Sequence, residues 1–241
     1  MTEKEMTAAK DKTIGIAFRS IGNIGGANNM IAGQAQRLAA LGYSVDLLGE
    51  KVNRRHIAPE LGRPVRISRL HVLRRYRYRW FAWQVQRHLQ AGRYDFVIGH
   101  GHQYWQDVLI MHNCVHLQHE LIHGTALDTA GTLAEIHDRI FAARTFKLCI
   151  VNSCFMRDEL VRRYGLEKQQ LPVVYPGYRA EQFKLADRKR HRAAVRNELG
   201  WPDRILIGLV TSGDFRNRGL DILLHAFAGL PAAQREQCML L

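Results

Sequence analysis

Strand-like and helix-like stretches alternate along this chain of 241 residues, and glycines stand where the first strand-like run gives way to the first helix-like one. The same order restarts near residue 204. These observations predict an α/β fold, a Rossmann-like, doubly wound parallel sheet with helices on both faces, followed by an incomplete second unit of the same kind.

In TIGIAF, Ile14, Ile16 and Phe18 alternate within an apolar run bounded by polar residues, which predicts a buried strand. Met30, Ile31, Ala35, Leu38 and Leu41 fall at helical spacing, and Gly42 stands where that helix would stop. Val45, Leu47 and Leu48 make the next strand, in YSVDLLG. Strand candidates follow in VRISRLHVL (65–73), YDFVIGH (94–100), DVLIMHN (107–113), LCIVNS (148–153) and LPVVYPG (171–177). Helix candidates are RWFAWQVQRHLQ (79–90), EIHDRIFAARTF (135–146) and CFMRDELVRRYG (154–165, closed by Gly165). After Gly177 comes a basic connector, then a strand in RILIGLV (204–210), a loop TSGDFRNRG (211–219), a helix LDILLHAFAGL (220–230), and EQCMLL turning toward another strand.

The glycine turn raises a chemical expectation. Free N–H groups at a helix start suit a phosphate, and adjacent glycines let a ligand approach the backbone closely. The turn reads Gly22-x-x-Gly25-Gly26, with Ile at position 24, so it lacks the G-x-G-x-x-G dinucleotide fingerprint; no Gly-Lys-Ser/Thr follows, so it is no P-loop. Glu50 imitates the acidic residue that ends the second strand of such a unit, but only weakly without the fingerprint. Ligands of open parallel sheets sit outside the carboxyl ends of the strands. By that rule Gly25, Gly26, His100, His112, Asn152 and Tyr175-Pro176-Gly177 converge on one crevice.

Composition narrows the partners. With 46% hydrophobic residues the chain can bury one core. A formal net charge of +13 points to an anionic partner: nucleotide, phospholipid, phosphorylated sugar or nucleic acid. The four cysteines, Cys114, Cys149, Cys154 and Cys238, show no disulfide framework or CxxC spacing and fit a reducing cytosol. The first twelve residues are polar, lack an apolar signal core and are expected to fray. No apolar run approaches the length of a membrane-spanning helix.

The glycine pair opening a helix before LAALGYSVDLL, then VNSCFMRDELVRRYG, VVYPGYRAEQF and TSGDFRNRGLDILLHAFAGLP, resemble in order and spacing a glycosyltransferase family 4 protein of the GT-B class. With IFAARTFK upstream, the last block is most similar to lipopolysaccharide-core glucosyltransferases that add glucose to a heptose. The resemblance implies two Rossmann-like domains that transfer a sugar from a nucleotide donor across the cleft between them. Residues 13–177 would be the acceptor-side domain, 178–202 a basic connector and 203–241 the start of the donor-side domain. The reaction implied is retaining transfer of a hexose, glucose from UDP-glucose, to a glycolipid or glycan, without metal or cofactor. The implied location is the cytoplasm, peripheral on the inner face of the plasma membrane.

Carried over by position, Gly25 and Gly26 match the family's first glycine loop, near donor phosphate and acceptor. His112, in VLIMHN, matches a position where many members carry a His and the core glucosyltransferases an Asp; it would orient or polarise a sugar hydroxyl as the catalytic residue. His100 and Asn113 would line the same site. Asp214, Arg216 and Arg218 lie in the loop that supplies cations to the donor diphosphate; Arg218 stands where relatives carry Lys and Asn217 where they carry Arg. The family's E-x7-E motif has no counterpart, since Glu236 is the only Glu after residue 200. The expectation is a truncated product or fragment with little or no activity alone; the alternative is a non-catalytic module binding anionic glycolipid.

Two other patterns compete. HELIH (119–123) fits the HExxH pattern of zinc hydrolases, and His112 and His116 would continue the same helix face. The longer continuation of that motif needs Gly and His where Ala126 and Thr129 stand, so a His-rich helix lip near the acceptor site explains it more cheaply. Residues 63–79 hold seven arginines, with Tyr76, Tyr78, Trp80, Phe81 and Trp83 close by. Such a mix suits a solvated domain edge or an anionic membrane surface, ranked ahead of nucleic acid.

Overall fold

The computed structural model describes residues 12–22, 25–53, 62–69, 74–92, 94–178, 180, 183–200, 204–211 and 214–241. The fraying expected of the N-terminus and the far end of the 65–73 strand candidate therefore lie outside the described residues. The chain divides into two compact units, Met1–Pro176 and Gly177–Leu241.

In the first unit the elements run β1 (Thr13–Ala17), β2 (Ser20–Ile21), α1 (Gly26–Ala40), β3 (Ser44–Gly49), β4 (Lys51–Val52), β5 (Arg63–Arg66) and α2 (Arg77–Gln90). They continue with β6 (Phe96–Gly99), β7 (Val108–Ile110), α3 (Val115–His123), α4 (Leu133–Ala143), β8 (Leu148–Ile150) and α5 (Cys154–Tyr164). Six strands form one parallel sheet in the order β5-β3-β1-β6-β7-β8. The chain winds outward from β1 through β3 to β5, then returns to lay β6 on the other side of β1. That reversal makes the β1/β6 junction the topological switch point, the place where ligands of open parallel sheets generally bind.

Register decides which residues meet which helix. Ile16 pairs with Leu47 and Ile98 on one face, where Ile31 and Ala35 of α1 close the core. Ala17 pairs with Leu48 on the other, and with Val97 it packs under Phe81, Val85 and Leu89 of α2. On that second face Leu109 and Cys149 lie beneath Ile136, Ile140 and Phe141 of α4 and Met156 and Leu160 of α5. The connection from β6 to β7 carries no helix, and Ile98, Val108, Leu148 and Ile150 on the α1 face stay half-buried.

Several expected strands are shorter than their apolar runs. The 65–73 candidate is paired only as Arg63–Arg66, and LPVVYPG contributes one parallel bridge, Val173 to Val151. Pro172 and Pro176 flank that bridge and donate no ladder hydrogen bond, which limits its growth. The proposed helical face running from His112 through HELIH is broken: α3 begins at Val115 behind Cys114, so His112 belongs to the strand end and not to the helix.

In the second unit, α6 (Arg188–Glu198) precedes β9 (Ile205–Ile207), α7 (Leu220–Ala228), α8 (Ala232–Glu236) and β10 (Cys238–Leu240). The two strands pair in parallel, Ile205 with Cys238 and Ile207 with Leu240. The closing EQCMLL is therefore the second strand of a βαβ unit.

Candidate active site

The carboxyl ends of β1, β6 and β7 bring Phe18, His100 and His112 together. His100 Nδ1 and His112 Nε2 are 2.7 Å apart. The rings are nearly coplanar, at 6° with centroids 5.0 Å apart, and so meet edge to edge. Phe18 packs obliquely on both imidazoles, with centroids 5.8 Å from His100 and 6.1 Å from His112. It also stacks on His102 at 4.4 Å. The Arg19 amide donates to His102 Nδ1 at 3.2 Å, so His102 carries its proton on Nε2 when neutral. Burial pushes His100, His102 and His112 below the usual imidazole range, and the neighbouring His112 adds to the effect on His100. His137, buried under the same loop, is pushed down to about 4 by burial. A Cβ at Gly101 would stand 2.9 Å from His137 Nε2, so only glycine lets the loop after β6 pass this ring. The site is lined by neutral imidazoles, each a hydrogen-bonding group rather than a charge.

Asn152, after β8, donates from Nδ2 to the His112 carbonyl at 3.4 Å and ties the third strand end to the histidine pair. Asn113, the next residue after His112, is exposed. Glu50 at the end of β3 turns to Arg19, Oε2 to Nη1 at 3.4 Å; burial raises its carboxyl despite that guanidinium. Arg19 in turn lies over the Tyr78 ring, 4.9 Å from its centroid.

Gly25 caps α1 with φ 151 and ψ 159, a region L side chains avoid. The cap has no side-chain hydrogen bond and the first turn no acidic residue, so the helix start is open to an anion. A Cβ built on Gly25 or Gly26 meets no atom within 4 Å. Packing against the described residues thus does not demand glycine at either position, whereas close approach of a ligand would.

In the second unit Asp214 shapes its own loop. Its Oδ1 accepts the Arg216 amide and its Oδ2 the Asn217 side chain, both at 3.0 Å. Arg216 and Arg218 occupy the following 3-10 turn, exposed and without a carboxylate partner among the described residues.

HELIH does lie on one helix, with the His119 and His123 rings 4.4 Å apart. Glu120, however, accepts Arg163 at 2.7 Å, and that hydrogen bond lowers its carboxyl, the wrong direction for a base. Among the described residues no group of three or more His, Cys, Asp or Glu side chains could hold a metal ion. His116 is engaged by Asp138 at 2.8 Å, and Tyr164 donates to the same carboxylate oxygen.

Part of the basic stretch is committed to ion pairs within the fold. Arg63 clamps Asp46 at 2.9 and 2.6 Å, and Arg79 grips Glu135 at 2.6 and 2.8 Å. Phe81 is core, whereas Trp83 is exposed beneath Arg87. Arg66, Arg69 and Arg75 are exposed.

Sequence reading missed His102, Arg19 and Tyr78. The GHGH doublet at the end of β6 was the available signal for His102, since its two histidines leave one strand end together.

A single-switch parallel sheet whose carboxyl edge carries an open helix start and a histidine pair is the kind of domain from which GT-B-type architectures are built. Residues 24–182 match the Glycosyltransferase Family 4 profile, and the chain belongs to that family. Among curated proteins, a D-inositol 3-phosphate glycosyltransferase of Streptomyces avermitilis is 32% identical over 164 residues, covering 62% of this chain and 33% of the relative. Its counterpart from Streptomyces bingchenggensis is 43% identical over 81 residues, 34% of this chain and 17% of the relative. The matched region thus spans about a third or less of these relatives' length. Among solved structures, WaaG, a glycosyltransferase involved in lipopolysaccharide biosynthesis, superposes with TM-score 0.74 at 19% identity, over 94% of this chain and 62% of that one. Anabaena Alr3699/HepE in complex with UDP-glucose follows with TM-score 0.65 at 15% identity, over 95% and 59%. Both likenesses are of fold.

Proposed function

We propose that the protein serves nucleotide-sugar-dependent glycosyl transfer: a hexose, glucose from UDP-glucose, passes with retention to a hydroxyl of a glycolipid such as a lipopolysaccharide core. The observation that carries this reading is the pairing of an open α1 start at Gly25-Gly26 with the His100–His112 pair on one sheet edge. The family membership supports the reaction class, and the UDP-glucose held by the Anabaena structure supports the donor class.

On this reading the departing diphosphate develops negative charge, and fixed donors already aimed at it stabilise that charge. The free amides at Gly25-Gly26 would be such donors in the first unit. Within the second unit, Asp214 shapes the loop that presents the exposed guanidinium groups of Arg216 and Arg218, which suit an anion in their own right. Arginine can grip phosphate bidentately, which suits Arg218 where relatives use lysine. His112 would orient or polarise a sugar hydroxyl, and Asn113 would line the acceptor side. One nucleoside diphosphate and one proton are released for each glycosidic bond formed.

The test uses the full reading frame in which these residues stand. It is incubated with UDP-, GDP- and ADP-hexoses and membrane glycolipid, and nucleoside diphosphate release is followed. Acceptor-dependent release from a UDP-hexose, reduced at least ~100-fold in His112→Ala, is expected of a group acting at the reacting sugar. Release that ignores the acceptor, or a His112→Ala variant with unchanged kcat, overturns the assignment.

A further inference from the structure

We infer that His100 sets the tautomer of His112, so that His112 meets its substrate as an N–H donor from Nδ1 and not as a base. The inference rests on the placement of His112 at the reacting side of the site.

His100 is 2% exposed, and its Nε2 is buried with no hydrogen bond among the described residues. Its Nδ1 meets His112 Nε2 at 2.7 Å, which requires one proton between them. If that proton belonged to His112, neutral His100 would carry its own on Nε2, as a buried N–H with nothing to donate to. If it belongs to His100 Nδ1, Nε2 keeps only a lone pair. Orphaned buried N–H groups are the rarer and costlier of the two. The proton therefore sits on His100 Nδ1, His112 Nε2 accepts it, and the proton of His112 is forced onto Nδ1.

The surroundings hold this state. Phe18 packs against both rings and offers neither donor nor acceptor. Burial disfavours protonating either imidazole, so an imidazolium does not scramble the assignment. His112 Nδ1 has no partner among the described residues and is not sealed off, leaving its N–H for a ligand oxygen. The ligand chemistry implied is a hydrogen-bond acceptor: a sugar hydroxyl oxygen or a diphosphate oxygen. His100 is thus a positioning residue that reaches the substrate only through His112.

The experiment is long-range 1H–15N correlation of the full chain labelled with 15N-histidine, near neutral pH, with His112 assigned through its loss in His112→Gln. The expected spectrum shows a pyrrole-type Nδ1 and a pyridine-type Nε2 for His112, and the reverse assignment overturns the inference. Two variants separate tautomer control from general packing. His100→Asn places an amide N–H near the position of Nδ1 and should keep the pattern; His100→Phe should let His112 drift to the Nε2–H form common in water. If His100→Phe folds and leaves His112 unchanged, His100 does not set the tautomer. The spectrum is read without substrate, so it stands or falls apart from the transferase assay. A native spectrum with the expected pattern but no sugar transfer overturns the function alone.

Discussion

His137 shows how a single buried side chain writes a pH dependence into the fold. It is 3% exposed, and burial lowers its pKa from 6.5 to about 4. The unfolded chain therefore binds this proton more readily than the folded chain between those two values. Stability is complete above the unfolded value near 6.5 and is lost as pH falls toward 4, at about 1.4 kcal/mol per unit for the group. Over the whole window His137 alone would cost about 3 kcal/mol. Denaturant unfolding should show a midpoint that drops between about pH 7 and pH 5, with a shallower slope in His137→Gln; an unchanged slope in that variant would assign the acid sensitivity elsewhere. The positions of His100 and His112 were legible as residues ending strands. Their hydrogen bond was not, because no local pattern says which ring nitrogens meet across two strands twelve residues apart.

Local signals succeed where an element depends on its own neighbours. Ser153 accepts the Met156 amide at 3.2 Å to start α5, and α1, α2, α4 and α5 stand within a few residues of the expected helices. They mislead where an apolar run outlasts its partner strand, as in LPVVYPG, or where helical spacing is extended across a cap, as at His112. The start of α1 offers a test in which stability and binding part company. Gly26 is helical and a Cβ there meets nothing, so Gly26→Ala should stabilise by about 0.5–1 kcal/mol. Gly25→Ala must adopt a backbone region that side chains avoid and should cost about 1–3 kcal/mol. If the amides of this turn contact the donor diphosphate, both variants should weaken UDP binding at least ~10-fold, about 1.4 kcal/mol. Thermal unfolding and nucleotide titration of the pair would show this; Gly26→Ala with full affinity would remove the turn from the donor site.

At the scale of the molecule, the charge of +13 is distributed less simply than the sequence suggests. Arg63, Arg79 and Arg163 hold Asp46, Glu135 and Glu120 and serve the fold, whereas Arg66, Arg69 and Arg75 are exposed. Among the described residues no helix is long and apolar enough to cross a membrane. Exposed arginines would attract an anionic bilayer electrostatically, at its surface. Binding to vesicles containing phosphatidylglycerol should then fall as salt rises from about 0.05 to 0.5 M, and the triple variant Arg66→Gln, Arg69→Gln, Arg75→Gln should bind several-fold more weakly. Equal binding to neutral vesicles would assign the patch to solvation. Alternating periodicity, helix stops and the glycine turn were enough to establish an α/β chain with a parallel sheet, because those signals act within a few residues. Strand order decided the rest. It set β6 beside β1 and β7 beside β6, and so brought Phe18, His100 and His112 into contact; it also chose which arginines meet a carboxylate. Such contacts come from packing between residues far apart in the chain, and hydrophobic burial, which drives that packing, carries no direction that a local pattern could record.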